Sequence, residues 1–182
     1  FDTDGRMFYE VTREGLPVRK RRYVITDTYT AMAYAQLFLA TGDEAWKAKG
    51  EAVYKRILMF YKNPELLPPK FYGSTRAVKA HNMPMIIVCT SQEMRLTGEN
   101  PLYEDTIDFC LKEVYGNFLN KEKKALLEIV NADGSFLETP EGRTINPGHA
   151  IESAWFTLEE ARRRGDDKLK ADALQVLDWS LD

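Results

Sequence analysis

Ala31-Met32-Ala33-Tyr34-Ala35-Gln36-Leu37-Phe38-Leu39-Ala40-Thr41-Gly42-Asp43 is the stretch on which the fold turns. Ala31, Tyr34, Ala35, Leu37 and Phe38 recur at helical spacing and predict one apolar face. Gly42 then supplies a left-handed stop, and Asp43 can cap a second helix. That helix is expected to run to about Tyr61, with Val53, Ile57, Leu58 and Phe60 turned inward. The same punctuation returns at Thr97-Gly98-Glu99 and at Arg164-Gly165-Asp166, each time between two apolar, helix-period segments. Three such joints predict an all-α array of three helical hairpins. An array of this kind suits half of a closed α/α toroid, and it also suits an open solenoid.

The connections between hairpins are longer. Asn63 to Gly73 carries Pro64, Pro68 and Pro69 and excludes regular structure. Two short β-hairpins are expected. In the first, Met7 to Thr12 and Leu16 to Val18 flank Arg13-Glu14-Gly15. In the second, within residues 125–146, Leu126 to Val130 turns at Asp133-Gly134 into Ser135-Phe136-Leu137. Long connections in a repeat array gather on one face and often build its binding site. The helix starts at Asn82 and Asn146 are therefore expected to open onto the same rim.

The 182 residues allow one domain with a sizeable core, and 44% hydrophobic against 29% charged residues is ordinary for a globular chain. With 28 acidic and 25 basic side chains the net charge is −3, which argues against a nucleic-acid partner. The densest basic run, Arg19-Lys20-Arg21-Arg22, reads as a solvated turn flank. Cys89 and Cys110 lie in apolar helical stretches at no metal-ligand spacing, so they read as core residues of a reducing, cytoplasmic protein. No metal site and no cofactor are expected. No apolar run is long enough to cross a bilayer, so no membrane partner is expected either. The chain opens at Phe1 and stops at Asp182 in mid-pattern; both ends read as cuts, and residues 1–182 as a single partial α/α-barrel domain. Leu174, Leu177 and Leu181 are spaced to form an apolar face through which a homo-oligomer could associate.

Chemistry concentrates in Gly142-Arg143-Thr144-Ile145-Asn146-Pro147-Gly148-His149-Ala150-Ile151-Glu152-Ser153-Ala154-Trp155-Phe156. Asn146 suits a helix N-cap and Pro147 the first helical position. His149 then sits in the first turn, where the positive helix end disfavours imidazolium and suits a general base. Gly148 leaves room beside the ring for a ligand. Glu152, three residues on, could orient the imidazole or bind a hydroxyl. Trp155 reads either as core or as a platform for a sugar ring, with core favoured. Position and neighbours alone leave a structural and a catalytic role for His149 equally open. Upstream, Asn82 reads as a helix cap and His81 as a side chain facing the central cavity. Arg76 and Lys79 read as loop residues.

Asn146-Pro-Gly-His-Ala-Ile-Glu-Ser-Ala-Trp-Phe resembles the asparagine-proline-glycine-histidine motif of the N-acylglucosamine 2-epimerase family. His81-Asn82-Met83-Pro84-Met85-Ile86 is similar to a second family region, and Arg22-Tyr23-Val24 through Leu37-Phe38 to a third. The resemblance implies a six-hairpin (α/α)6 barrel about twice this length. It implies a sugar epimerase or isomerase that removes the C2 proton of an open-chain aldose and returns one to the opposite face. It makes His149 catalytic and Glu152 a neighbour in the same pocket, with Tyr29, Arg76, His81, Asn82 and Trp155 as candidate carbohydrate contacts. Two departures accompany it. The family's second catalytic histidine is expected beyond Asp182, so this span alone is expected to be inactive. The family's tryptophan, glutamine and arginine of the first inner helix fall on Ile25, Asp27 and Tyr29, and Tyr29 carries no permanent charge. An α/α-barrel glycoside hydrolase is one alternative, although it needs two positioned carboxylates. A non-catalytic carbohydrate-binding or assembly protein is another.

Overall fold

The computed structural model describes residues 1–181, and they form six α-helices with short two-stranded sheets. Residues group into two compact units, Phe1–Lys70 with Thr90–Glu104, and Phe71–Cys89 with Asp105 onward. Helices α3 (Asn82–Arg95) and α4 (Pro101–Glu113) contribute residues to both.

The first unit holds the hairpin of α1 (Ile25–Thr41) and α2 (Glu44–Lys62). Gly42 is left-handed at φ 69°, its N–H reaching the Phe38 carbonyl, and the Asp43 carboxylate accepts from the Ala45 N–H at 2.9 Å. The expected stop and cap are therefore both in place. The packed face of α1 is narrower than expected. Thr28, Ala31 and Ala35 are buried, whereas Leu37 is exposed. Small residues let α2 approach closely: a Cβ on Gly50 would lie 3.3 Å from the Tyr34 Cβ. Leu37 follows Ala35 by two residues, about 200° round the helix, and so points away. Val53, Ile57 and Leu58 are buried as the pattern predicted, and the Tyr54 hydroxyl meets Ser91 Oγ at 2.7 Å.

Strands β1 (Glu10–Val11) and β2 (Pro17–Arg19) pair antiparallel across Arg13-Glu14-Gly15, as the first expected hairpin. Behind them Arg6 donates to the carbonyls of Arg21 and Arg22, and buried Asp27 accepts the Met7 N–H at 3.2 Å. Burial raises the Asp27 carboxyl above its ordinary pKa, against the pull of that N–H and of Arg56 and Arg6. Asp27 thus anchors the N-terminal loop to α1.

In the second unit, α5 (Pro147–Arg164) and α6 (Asp167–Leu181) form another hairpin around left-handed Gly165 at φ 65°. Gly98, between α3 and α4, also has positive φ, 142°. A π-helical turn, Val114–Phe118, ends α4. The core gathers Val114, Phe118, Leu126, Leu127, Val130, Ala150, Ala154 and Val176. Leu177 packs against that cluster, while Leu174 and Leu181 are exposed. Cys110 is buried, with its thiol pushed up to about 12 by burial and nearby Glu113, and Cys89 is half-buried.

The second β-hairpin lies elsewhere than expected. Strand β4 (Leu119–Asn120) pairs with β5 (Ala125–Leu126), so its turn is residues 121–124. The Asp133-Gly134 turn does form, with Gly134 at φ 85° and the Asn131 N–H bonded to the Ser135 carbonyl. Among the described residues no strand follows it. Instead β6 (Ile129–Asn131) pairs antiparallel with the distant β3 (Val78–Ala80). Long-range pairing won because it buries Ile129 and Val130, the latter within the second unit's core.

Candidate active site

The β3–β6 ladder sets Val78, Lys79 and Ala80 opposite Asn131, Val130 and Ile129. One step further, the His81 N–H donates to the Glu128 carbonyl at 3.0 Å. On the other flank of Glu128, Leu127 bridges Ile145, and the Glu128 N–H points at the Thr144 carbonyl at 3.4 Å. Backbone pairing thus draws the start of α3, Glu128 and the start of α5 together. The expectation that the helices at Asn82 and Asn146 open on the same side holds within this unit.

Asn146 caps α5 as predicted, its side chain accepting from the N–H groups of Gly148 at 3.1 Å and His149 at 3.4 Å. The cap fixes the first turn, and His149 projects from it with its side chain 35% exposed. His149 Nδ1 lies 2.9 and 3.0 Å from the two carboxylate oxygens of Glu128. His81 Nε2 lies 2.8 Å from Ser153 Oγ, while its Nδ1 stands 3.6 Å from Glu128 Oε1. At 3.6 Å that second approach is electrostatic rather than a full hydrogen bond. Burial works against ionising Glu128, but the two facing imidazoles outweigh it and hold the carboxyl below its ordinary 4.5.

Several expectations need correction. It is Glu128, not Glu152, that binds the imidazole of His149; Glu152 is half-buried one turn along α5. Asn82 is the first helical residue rather than the cap. His81 precedes it, and the His81 carbonyl accepts the Met85 N–H. His81, expected to face a central cavity, is fully buried, its ring 5.5 Å from that of Phe118. Trp155, read as core, is 59% exposed among the described residues, with its ring beside that of Phe156. Arg76 pairs with Glu141 at 3.1 Å in a half-exposed ion pair, and Lys79 reaches Glu113 at 3.4 Å. Tyr29, in the first unit, is exposed on α1.

Glu128 was missed as a site residue. Its signal was present: it is the single charge within the apolar run Ala125-Leu126-Leu127-Glu128-Ile129-Val130. A carboxylate in such a run needs partners, but the sequence does not say which. His81, Glu128 and His149 also present ligating atoms within 4.8 Å of one another, a set that could hold a divalent ion although no metal site was expected. Without an ion, His149 Nδ1 faces both oxygens of the Glu128 carboxylate, a spacing that suits N–H donation to it.

Over residues 2–182 the sequence matches the N-acylglucosamine 2-epimerase (GlcNAc 2-epimerase) family. The chain belongs to that family. Curated N-acylglucosamine 2-epimerases are similar to it: that of Bos taurus is 28% identical over 166 residues, and that of Homo sapiens 26% over 167. Each alignment covers 90% of this chain and 39% of the relative, so the chain spans well under half the length of the relatives it matches. These epimerase relatives give no support to the hydrolase or binding-protein alternatives. No helix among the described residues is long and apolar enough to cross a membrane.

Proposed function

We propose that this chain carries one proton-transferring half of a sugar 2-epimerase, with His149 as the base that removes the C2 proton of an open-chain aldose. The observation that carries the reading is the capped turn Asn146-Pro147-Gly148-His149. In a chain of the 2-epimerase family, it offers a partly exposed imidazole at the positive end of α5. Inversion needs a second group that delivers a proton to the opposite face. His81 is fully buried and is not proposed for that role; the family resemblance puts the second group in the part of the relatives' length that this chain does not span. Glu152 and exposed Trp155 follow His149 on α5 and are the nearest candidates for sugar hydroxyl and ring contacts. Tyr29, Arg76 and Asn82 remain candidate sugar contacts. The helices are read as part of one (α/α)6 toroid, the architecture that the glycine-joined hairpins suit.

Solvent-deuterium exchange at C2 tests the chemistry. N-acetylmannosamine, mannose and mannobiose are offered to a protein that joins this span to the remainder of its relatives' length. Exchange is expected with one of the three. His149→Asn, which keeps a polar side chain and removes the base, should lower exchange by roughly 10²–10⁴-fold with the fold retained. Full activity in a well-folded His149→Asn variant refutes the assignment.

A further inference from the structure

We propose that Glu128 is the positioning residue of this site: its carboxylate locks His149 in the Nδ1–H tautomer and so leaves Nε2 as the free base nitrogen. The proposal rests on the reading of His149 as the base and extends it to a residue that touches no substrate.

The geometry leaves one consistent proton arrangement. Both Glu128 oxygens lie within hydrogen-bond distance of His149 Nδ1, at 2.9 and 3.0 Å. An ionised carboxylate only accepts, so the hydrogen belongs to Nδ1. A neutral imidazole carries one N–H, and Nε2 therefore keeps its lone pair.

The carboxylate is itself held from the buried side. His81 Nδ1 faces Glu128 Oε1 at 3.6 Å, and a bare lone pair there would repel it, so His81 also carries its hydrogen on Nδ1. Its Nε2 then accepts the Ser153 hydroxyl at 2.8 Å. Ser153 follows His149 by one helical turn on α5, so the same helix presents the exposed imidazole and anchors the buried one. Exposure falls along the chain of contacts, from 35% at the His149 side chain to 16% at Glu128 and none at His81. The backbone fixes Glu128 as well, through the His81 N–H on one side and the Leu127–Ile145 bridge on the other. A carboxylate so braced can orient a ring that is itself only partly packed.

The test reads tautomers directly. The chain has two histidines, so ¹⁵N-imidazole labelling gives two rings, and His149→Asn assigns them by leaving one. In mildly alkaline buffer, where imidazoles are neutral, His149 of the native chain is expected almost wholly as Nδ1–H. Glu128→Gln keeps the shape but removes the charge and adds a donor; Glu128→Ala removes the acceptor. Each should convert His149 to a mixture of both tautomers, with helical circular dichroism reporting that the fold persists. If Glu128→Ala unfolds, Glu128→Gln decides. A native His149 found as Nε2–H, or a tautomer unchanged in a folded variant, overturns the proposal. No sugar enters this measurement, so its failure is separate from a failure of His149→Asn to suppress C2 exchange.

Discussion

His81 and His149 stand at the openings of two helices and face one carboxylate, yet they occupy opposite environments. His81 is completely buried between Phe118, Ser153 and Glu128, whereas His149 keeps a third of its side chain in solvent. Their local sequences do not predict this. Both follow polar or small residues and precede apolar helical runs, and both can be read as site residues. The difference arises because α3 begins just after a strand paired with β6, while α5 begins after a loop bridged to Leu127 at Ile145. A ladder drives the following side chain into the core. A capped loop leaves its side chain at the surface. One helix start therefore buries its imidazole as support, and the other keeps its imidazole accessible.

That contrast should show first in stability. His81→Ala removes a fully buried ring together with its Ser153 hydrogen bond, and should cost about 2–4 kcal/mol. His149→Ala should cost less, about 1–2 kcal/mol, because the ring is partly exposed and the loss is chiefly that of the Glu128 contact. Urea unfolding of the two variants measures both. Equal losses would break the comparison.

Acid offers a second probe. The Glu128 pKa is depressed in the folded chain below its ordinary 4.5. Its ionised form therefore contributes stability that is fully present above the unfolded-state value and is lost as pH falls through the folded one. Unfolding midpoints of the native chain and of Glu128→Gln should stay separated by a constant amount at neutral pH and converge in acid. A separation that grows on acidification would reverse the sign of the Glu128 interaction.

The smallest effects concern the caps. Asn146→Ala deletes a side chain that accepts two backbone N–H groups, and should cost about 1 kcal/mol. Asn82→Ala alters a residue already inside α3 and should stay within about 0.5 kcal/mol. Thermal unfolding distinguishes them, and a larger loss at Asn82 would restore it as the cap.

What could be read directly was local. The glycine stops at Gly42 and Gly165, the caps at Asp43 and Asn146, and the proline at the first position of α5 all act within a few residues. Their geometry depends on backbone sterics and short hydrogen bonds, which a linear text records. Leu37 shows the limit within a helix. It was placed on the apolar face, yet it stands about 200° round the helix from Ala35 and is exposed, and Thr28, Ala31 and Ala35 form the packed arc.

The sequence by itself determined that helices would pair around Gly42 and Gly165, and that Asn146-Pro147-Gly148-His149 would present a histidine from a helix's first turn. The family likeness followed from the same residues. Only the tertiary structure decided that β6 leaves its neighbouring turn to pair with β3, some fifty residues away in the chain. That pairing brought Glu128 between two histidines and buried His81. Strand pairing of this kind is chosen by which apolar faces can be buried together, and that sum runs over the whole unit. No spacing along the chain encodes it.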